Sequence, residues 1–317
     1  MTPKTILLTG SSGFVASELK TKIEKIAKVI AVDLVDGPNT SIVCDIASDY
    51  FSTFCRDKAE AFGAVTVVHM AAARFDFGIE ADRYFESNVQ TQTGFLSALD
   101  NLNVTKFIHV SSVAAIDGET MNYSSAMSCD DAYRSTKYLQ EQIVVNWCKN
   151  NSVDLIALYP SAIFSHQKRM DTNIGKLIRL VRYMPFVPAI PVSKSLTYLP
   201  SFCDYITLAT QNKVPAGRYL TIENPILNVS QMIQLLSGKK LMLVRIPLFK
   251  QLLTVISHLL YVFGGFGKID TKLTPNRVKK LFSDTSYSNT QSIDRQHYAS
   301  NSKSLIKILE NLSKDNS

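Results

Sequence analysis

Tyr133 and Lys137 stand four residues apart in Tyr133-Arg-Ser-Thr-Lys137, and on a helix that spacing puts a phenol and an ammonium on one face. A free tyrosine ionises near pH ~10, too high for a base at neutrality. A fixed cation beside it stabilises the phenolate and draws that value down. Bringing it to ~7–8 takes roughly 3–4 kcal/mol, which cations in a partly dry cleft can supply. Ser112, in His109-Val-Ser-Ser112, closes an apolar run and is placed to hydrogen-bond and orient a substrate oxygen. Tyr and Lys at this spacing also occur in helices without chemistry, so the pair takes its meaning from its surroundings.

The elements that must position these groups alternate along the first 160 residues. Short, β-branched-rich runs at Thr5–Thr9, Val29–Asp33, Val65–Met70, Phe107–Ser111 and Leu155–Tyr159 have the texture of strands buried on both faces. Stretches of helical period, such as Phe14–Ala27 and Tyr84–Leu99, lie between them. This alternation predicts right-handed βαβ units and an α/β fold of the Rossmann type, a doubly wound parallel sheet. After Pro160 the alternation becomes irregular and prolines gather at 185, 188, 191 and 200. Residues 1–160 are therefore expected to form a dinucleotide-binding domain. Residues 161–317 are expected to form mostly a smaller substrate-binding lobe, with return of some elements to the sheet left open.

Thr9-Gly10-Ser11-Ser12-Gly13-Phe14-Val15-Ala16 follows the first strand directly and opens a helix. Gly10 permits the tight turn, and Gly13 lets backbone N–H groups approach a pyrophosphate at the positive helix end. The second strand ends at Asp33, 23 residues beyond Gly10, where a carboxylate can accept hydrogen bonds from ribose hydroxyls. That charge repels a 2′-phosphate, and no Arg follows it, so NAD is favoured over NADP. Oxidised nicotinamide is itself cationic and acts on Tyr133 in the same direction as Lys137. Asp45-Ile46 is placed either to meet the adenine or to form a surface turn.

Composition narrows the partners. Five Cys show no CxxC spacing and five His no ligand spacing, so neither a disulfide framework nor a metal is expected, and a reducing cytoplasmic setting is. No run reaches the ~20 apolar residues of a membrane span. Residues 1–160 carry 13 Lys and Arg against 19 Asp and Glu, whereas residues 161–280 carry 17 against 4. A phosphate-bearing substrate, an anionic membrane surface or nucleic acid would each suit such a basic region, as would a plain solvated face. No recognition module accompanies it, which disfavours nucleic acid.

The ordered set Thr9–Ala16, Asp33, Asp45-Ile46, Val68-His69-Met70-Ala71-Ala72, Asn88-Val89, Val110-Ser111-Ser112, Tyr133-xxx-Lys137 and Tyr159-Pro160 resembles the extended short-chain dehydrogenases/reductases, specifically the NAD-dependent epimerase/dehydratase family. The resemblance implies hydride transfer at a secondary alcohol carbon, with Tyr133, Lys137 and Ser112 as the catalytic residues. It implies a cofactor site built from Gly10, Gly13, Phe14, Val15, Asp33, Asp45, Ile46, Met70, Ala71, Ala72, Asn88, Lys137 and Pro160. It also implies a diphosphate-linked sugar as substrate and a homodimer paired through the Tyr133 helix and the helix before it. Three features depart from the family pattern: Ala16 at the third glycine, Tyr159 where Arg usually precedes the proline, and Val113-Ala114-Ala115 after Ser112. The last lacks the Asp-Glu pair with which the family's dehydratases eliminate water. An epimerase or a simple dehydrogenase/reductase remains, a 3β-hydroxysteroid-type enzyme included. A non-catalytic NAD-binding regulatory module is the rival from another class.

Two segments of the basic region stand out. Lys176-Leu-Ile-Arg179-Leu-Val-Arg182 is basic and amphipathic. Pro247–Phe263 reads as a helix with polar residues at 250, 251, 254, 257 and 258 and apolar residues elsewhere. It would ordinarily pack on a core; the sharper reading is a helix lying in a membrane interface, giving peripheral membrane contact. Arg182, Lys194, Arg218 and Arg245 are candidates to meet phosphate, and Asp117–Asp131 is a candidate lid over the site.

Overall fold

Among the described residues of the computed structural model, eight parallel strands form one sheet: β1 (Thr5–Thr9), β2 (Lys28–Asp33), β3 (Ile42–Val43), β4 (Ala64–His69), β5 (Asn103–Val110), β6 (Asp154–Pro160), β7 (Gly217–Thr221) and β8 (Arg295–His297). The structure describes residues 4–73, 80–119, 129–165, 177, 181, 183–238, 240–246, 248–263, 275–287, 295–297 and 305–314. Lys176, Arg179, Arg182 and most of the candidate lid lie outside that set.

The strand order is β8-β7-β6-β5-β4-β1-β2-β3. It reverses between β1 and β4, and the crevice beyond the carboxyl ends of those two strands is where open α/β sheets hold ligands. The alternating side chains of the strands explain the layers. Ile6 and Leu8 of β1, Val68, Ile108, Ile156 and Leu158 face α1 (Phe14–Ile23) and the later helix Leu199–Thr210. Leu7, Val65, Val67 and Phe107 face the opposite layer, made by α2 (Asp49–Phe62), α4 (Thr91–Leu99) and α6 (Cys129–Asn150). Both faces are covered, which is why the strands read as continuous apolar runs rather than as alternating ones.

The stretch that reads as one helix in sequence contains an irregularity. α3 (Ala81–Phe85) runs through a wide π-helical turn, Glu86–Gln90, into α4. Such turns mark helices that carry an extra residue, often beside a functional site. Asn88 sits in this one and is fully buried. α5 (Val113–Gly118) packs on α6 so closely that a Cβ at Gly118 would lie 2.1 Å from the Arg134 carbonyl oxygen, so only glycine fits there.

The chain divides into two compact units. The first comprises residues 1–163, 197–222 and 289–298, and holds the whole sheet together with α7 (Leu199–Thr210). The second comprises residues 164–196, 223–288 and 299–317. Here Val187–Pro188 pairs in parallel with Leu243–Val244, and Ser193–Lys194 pairs antiparallel with Leu227–Asn228. α8 (Val229–Ser237) begins with a capping box, Asn228 and Gln231 each satisfying the other's backbone N–H, and stops at left-handed Gly238. It packs on α11 (Leu305–Lys314), while α9 (Phe249–Phe263) packs on α10 (Pro275–Leu281). Among the described residues no helix is long and apolar enough to cross a membrane.

Candidate active site

The turn after β1 lies at the switch point of the sheet. Gly10 has φ +73°, and a Cβ there would fall 2.9 Å from the Ala71 nitrogen at the end of β4. Only glycine allows both the left-handed backbone and that approach. Gly13 caps α1 without any side-chain hydrogen bond, and the first turn of α1 holds no acid. By contrast, Ser48 caps α2 and Asn228 caps α8. The N-terminus of α1 thus has no side-chain cap, the setting in which a helix end receives a pyrophosphate. Phe14 and Val15 pack against the core below and aim α1 at the turn.

Asp33, at the end of β2, accepts hydrogen bonds from the Ser12 N–H at 2.9 Å and the Ser12 hydroxyl at 2.8 Å. Its other oxygen accepts from the Val35 N–H at 3.2 Å. The carboxylate is thereby held at the lip of the glycine turn, where a ribose would lie. Asp45 is exposed and accepts from the Ala47 N–H at 2.9 Å, which makes it the head of a turn before α2. Ile46 is 5% exposed and packs in the core with Phe51. Met70 and Ala71 donate their N–H groups to the Thr9 hydroxyl oxygen, both at 3.3 Å. Ala72 is exposed beyond them, and Pro160 is buried at the end of β6, in register with Thr221. These arrangements fit a dinucleotide: a helix terminus without a side-chain cap for the pyrophosphate, a fixed carboxylate for the ribose, and a floor of Met70, Ala71 and Ala72.

Asn88 ties that floor to α6. Its Oδ1 accepts from the Ala73 N–H at 2.8 Å, and its Nδ2 donates to the Thr136 hydroxyl at 3.2 Å. Thr136 precedes Lys137 on α6 and donates in turn to the Ala132 carbonyl at 2.7 Å. Tyr133 and Lys137 share a face of α6, one turn apart. Tyr133 is half-buried, its ring meeting Tyr84 edge-on at 5.6 Å. Ser112 caps α5, its Oγ accepting from the Ala114 N–H at 3.2 Å. Because Gly118 presses α5 onto Arg134, Ser112 is carried by an element braced against the residue next to Tyr133.

Beneath this face lies a polar network that sequence reasoning missed. Lys137 is 3% exposed and donates to Gln140 Oε1 at 2.6 Å. Gln140 Nε2 donates to the Ala71 carbonyl at 3.3 Å and to Gln92 Oε1 at 3.2 Å. Gln92 Oε1 also accepts from His69 Nε2 at 2.6 Å, and His69 Nδ1 meets the Thr9 hydroxyl at 2.7 Å. Since that hydroxyl already accepts two N–H bonds, its own hydrogen goes to Nδ1, which makes His69 neutral with its proton on Nε2. Burial, and then the nearby Lys137 charge, lower the His69 pKa to about 3, in agreement with a neutral ring. Burial also lowers Lys137, to about 8, against the opposing attraction of Glu141. His109 stacks on His69 at 5.7 Å, and neither of its ring nitrogens has a partner among the described residues.

A second buried acceptor braces the other side of α6. Glu141 is 3% exposed and accepts from the Ser111 hydroxyl at 2.9 Å and from the Tyr159 hydroxyl, with Arg218 Nε 3.9 Å away. Tyr159, the departure from the family pattern, thus serves to hold β6 to α6. The signal that could have found Gln140 and Glu141 was their position, three and four residues after Lys137 on a helix whose neighbours bury it.

The family model described as "NAD dependent epimerase/dehydratase family" matches residues 6–192. A curated relative, 3β-hydroxysteroid-dehydrogenase/decarboxylase isoform 2 of Arabidopsis thaliana, is 27% identical over 343 residues. That alignment covers 94% of this chain but only 59% of the relative, so the chain spans about three-fifths of the relative's length. UDP-glucuronic acid 4-epimerase of Bacillus cereus, solved with NAD, has a TM-score of 0.58 at 19% identity, covering 76% of this chain and 86% of its own. An epimerase of Methanothermobacter thermautotrophicus has a TM-score of 0.58 at 13% identity, covering 99% and 93%. At such identities the structures establish the fold alone. The strand order, the uncapped α1 terminus beside Asp33, and the match over most of the first unit agree on one conclusion: the chain belongs to the NAD-dependent epimerase/dehydratase family.

Proposed function

We propose that the chain is an NAD-dependent epimerase that inverts a secondary alcohol carbon of a diphosphate-linked sugar, carried either on a nucleotide or on a lipid. The observation that carries this reading is the buried Lys137, held by Gln140 one turn from Tyr133 on α6. When bound, NAD supplies the hydride acceptor and donor. Tyr133 takes the proton of the substrate hydroxyl as the alcohol is oxidised and returns it on reduction. Lys137 keeps the phenolate accessible near neutrality, because its charge lies close by in a site of low dielectric. Ser112 offers its hydroxyl hydrogen to the substrate oxygen and orients it. Val113-Ala114-Ala115 provides no acid or base for eliminating water, which separates this site from a dehydratase.

The test incubates purified protein and NAD+ with UDP-hexoses, UDP-hexuronic acids and polyprenyl-diphosphate hexoses, and follows the epimers by NMR. Interconversion without accumulation of NADH is expected, and Tyr133→Phe should slow it by roughly 10²–10⁴-fold. If none of these substrates is interconverted, the proposal fails.

The Arabidopsis relative favours a second reading, oxidation of a 3β-hydroxysteroid or similar apolar alcohol, because that alignment extends through the second unit. Stoichiometric NADH from a 3β-hydroxysteroid would establish it over the first, since an epimerase regenerates its cofactor.

A further inference from the structure

Helix α9 presents its apolar surface to the outside. Its inward stripe is Phe249, Leu253 and Ser257, one turn apart, and the Phe249 ring meets Phe282 edge-on at 6.0 Å. Ser257, the smallest polar residue of the helix, is the one that is fully buried. Leu252, Val255, Ile256, Leu259, Leu260, Val262 and Phe263 are all exposed, from 37% at Ile256 to 82% at Phe263. At 100° per residue these seven occupy one continuous arc nearly half the circumference wide, running the length of the helix. A solvated helix does not normally carry an apolar patch of this extent without a partner.

Charge identifies the partner. α9 contains no acidic residue. From 224 to 283 the chain holds nine Lys and Arg and one acid, Asp270. Among the described residues Lys240, Arg245, Lys250 and Lys279 are exposed, Lys250 at the start of the helix itself. A second copy of this face would bring like charges together, which disfavours self-pairing. Nucleic acid would leave the apolar arc uncovered. An apolar arc on a cationic helix fits the boundary between headgroups and acyl chains of an anionic bilayer. The helix is too short to span.

We infer that α9 lies flat in the surface of an anionic lipid bilayer, with Leu252, Val255, Leu259, Val262 and Phe263 among the acyl chains and the basic residues around it on the headgroups. This stands whichever substrate reading holds. The test sediments the full-length chain with phosphatidylcholine vesicles containing or lacking phosphatidylserine, at low and high salt, alongside its sedimentation equilibrium without lipid. Recovery with the anionic vesicles is expected, weakened by salt. Leu252→Asp with Leu259→Asp should release the protein by at least tenfold while its NAD binding and thermal unfolding stay those of the parent. Arg245→Glu and Lys250→Glu should each weaken recovery by roughly fivefold or more. Parent protein that stays in the supernatant with both vesicle types overturns the inference, and so does a double variant that binds as well as the parent. A lipid-indifferent dimer that the double variant converts to monomer assigns the face to a second copy instead.

Discussion

The two units invert the usual distribution of polar and apolar groups in opposite places. In the first, five polar side chains, His69, Gln92, Lys137, Gln140 and Glu141, lie within the protein, each at 3% exposure or less. In the second, a helix turns seven apolar side chains outward and buries a serine. Desolvated polar groups are costly unless they find partners; here His69, Gln92, Gln140 and Lys137 are linked in series from Thr9, while Glu141 is met by Ser111 and Tyr159. Exposed apolar groups cost little in folding but invite association. The first inversion therefore stores its consequences in stability and reactivity, and the second in partnership. Substitutions in the two regions should differ accordingly.

The largest expected effect is on the reaction. In the proposed mechanism Lys137→Met removes the charge that makes Tyr133 a base, and turnover should fall by up to ~10⁴-fold, about 5.5 kcal/mol. Because burial lowers Lys137 to about 8, the parent's rate should also decline as pH rises past that value, and Lys137→Arg should carry whatever activity it retains to higher pH. A flat profile from pH 7 to 10 would show that Lys137 is not the group in control.

Acid should act next most strongly, through the network rather than through the surface. His69 has its pKa lowered to about 3, so between there and the ordinary histidine value the unfolded chain binds a proton that the native chain refuses. Its contribution is complete above pH ~6.5 and is lost progressively as pH falls to ~3, on the order of 4–5 kcal/mol in all. His109, lowered by burial in the same direction, adds to the slope. Urea unfolding measured across that window checks this, and no steepening below pH 6 would contradict a neutral buried His69.

Gln140→Leu should cost roughly 3 kcal/mol by leaving the Lys137 ammonium and the Ala71 carbonyl without their partner. The same variant should move the alkaline limb of the rate profile to lower pH, which a purely structural loss would not do. His109→Phe keeps the stack on His69 while removing two ring nitrogens without partners, and should raise stability by about 1 kcal/mol. In the second unit, Leu259→Ser should change stability by less than ~0.5 kcal/mol, whereas Leu8→Ala in the sheet should cost roughly 2–5 kcal/mol. A large loss at Leu259 would mean that α9 has its apolar arc covered within the fold, and the comparison would collapse.

Much of the first unit is legible from sequence. β1 is predicted residue for residue, and β2, β4 and β6 within one residue at each end; β5 begins four residues earlier than its apolar run, because Asn103 to Lys106 carry a polar edge. The Gly10 turn and Asp33 are legible because each has a backbone or spacing requirement that few residues meet, whereas Asn88 is reached only through the family resemblance. Gln92, Gln140 and Glu141 are not, since a polar residue on an amphipathic helix reads as solvated until the neighbouring helix is known. The direction in which α9 faces is hidden for a related reason. Periodicity reveals that a helix has an apolar side, but whether protein, water or something else receives that side depends on contacts distant in sequence.

The wide turn at Glu86–Gln90 makes the site depend on a length as well as on identities. An α-helix advances about 100° per residue, so one surplus residue sets α3 and α4 out of phase by that angle. Tyr84, which meets Tyr133, and Phe95, which anchors α4 in the core, lie on opposite sides of this dislocation. Deleting Val89 alone would preserve every side chain assigned a task and would give the helix a regular winding. It would also swing Tyr84 and Asn88 away from α6, leaving a protein with intact helical circular dichroism and a candidate site whose parts no longer align.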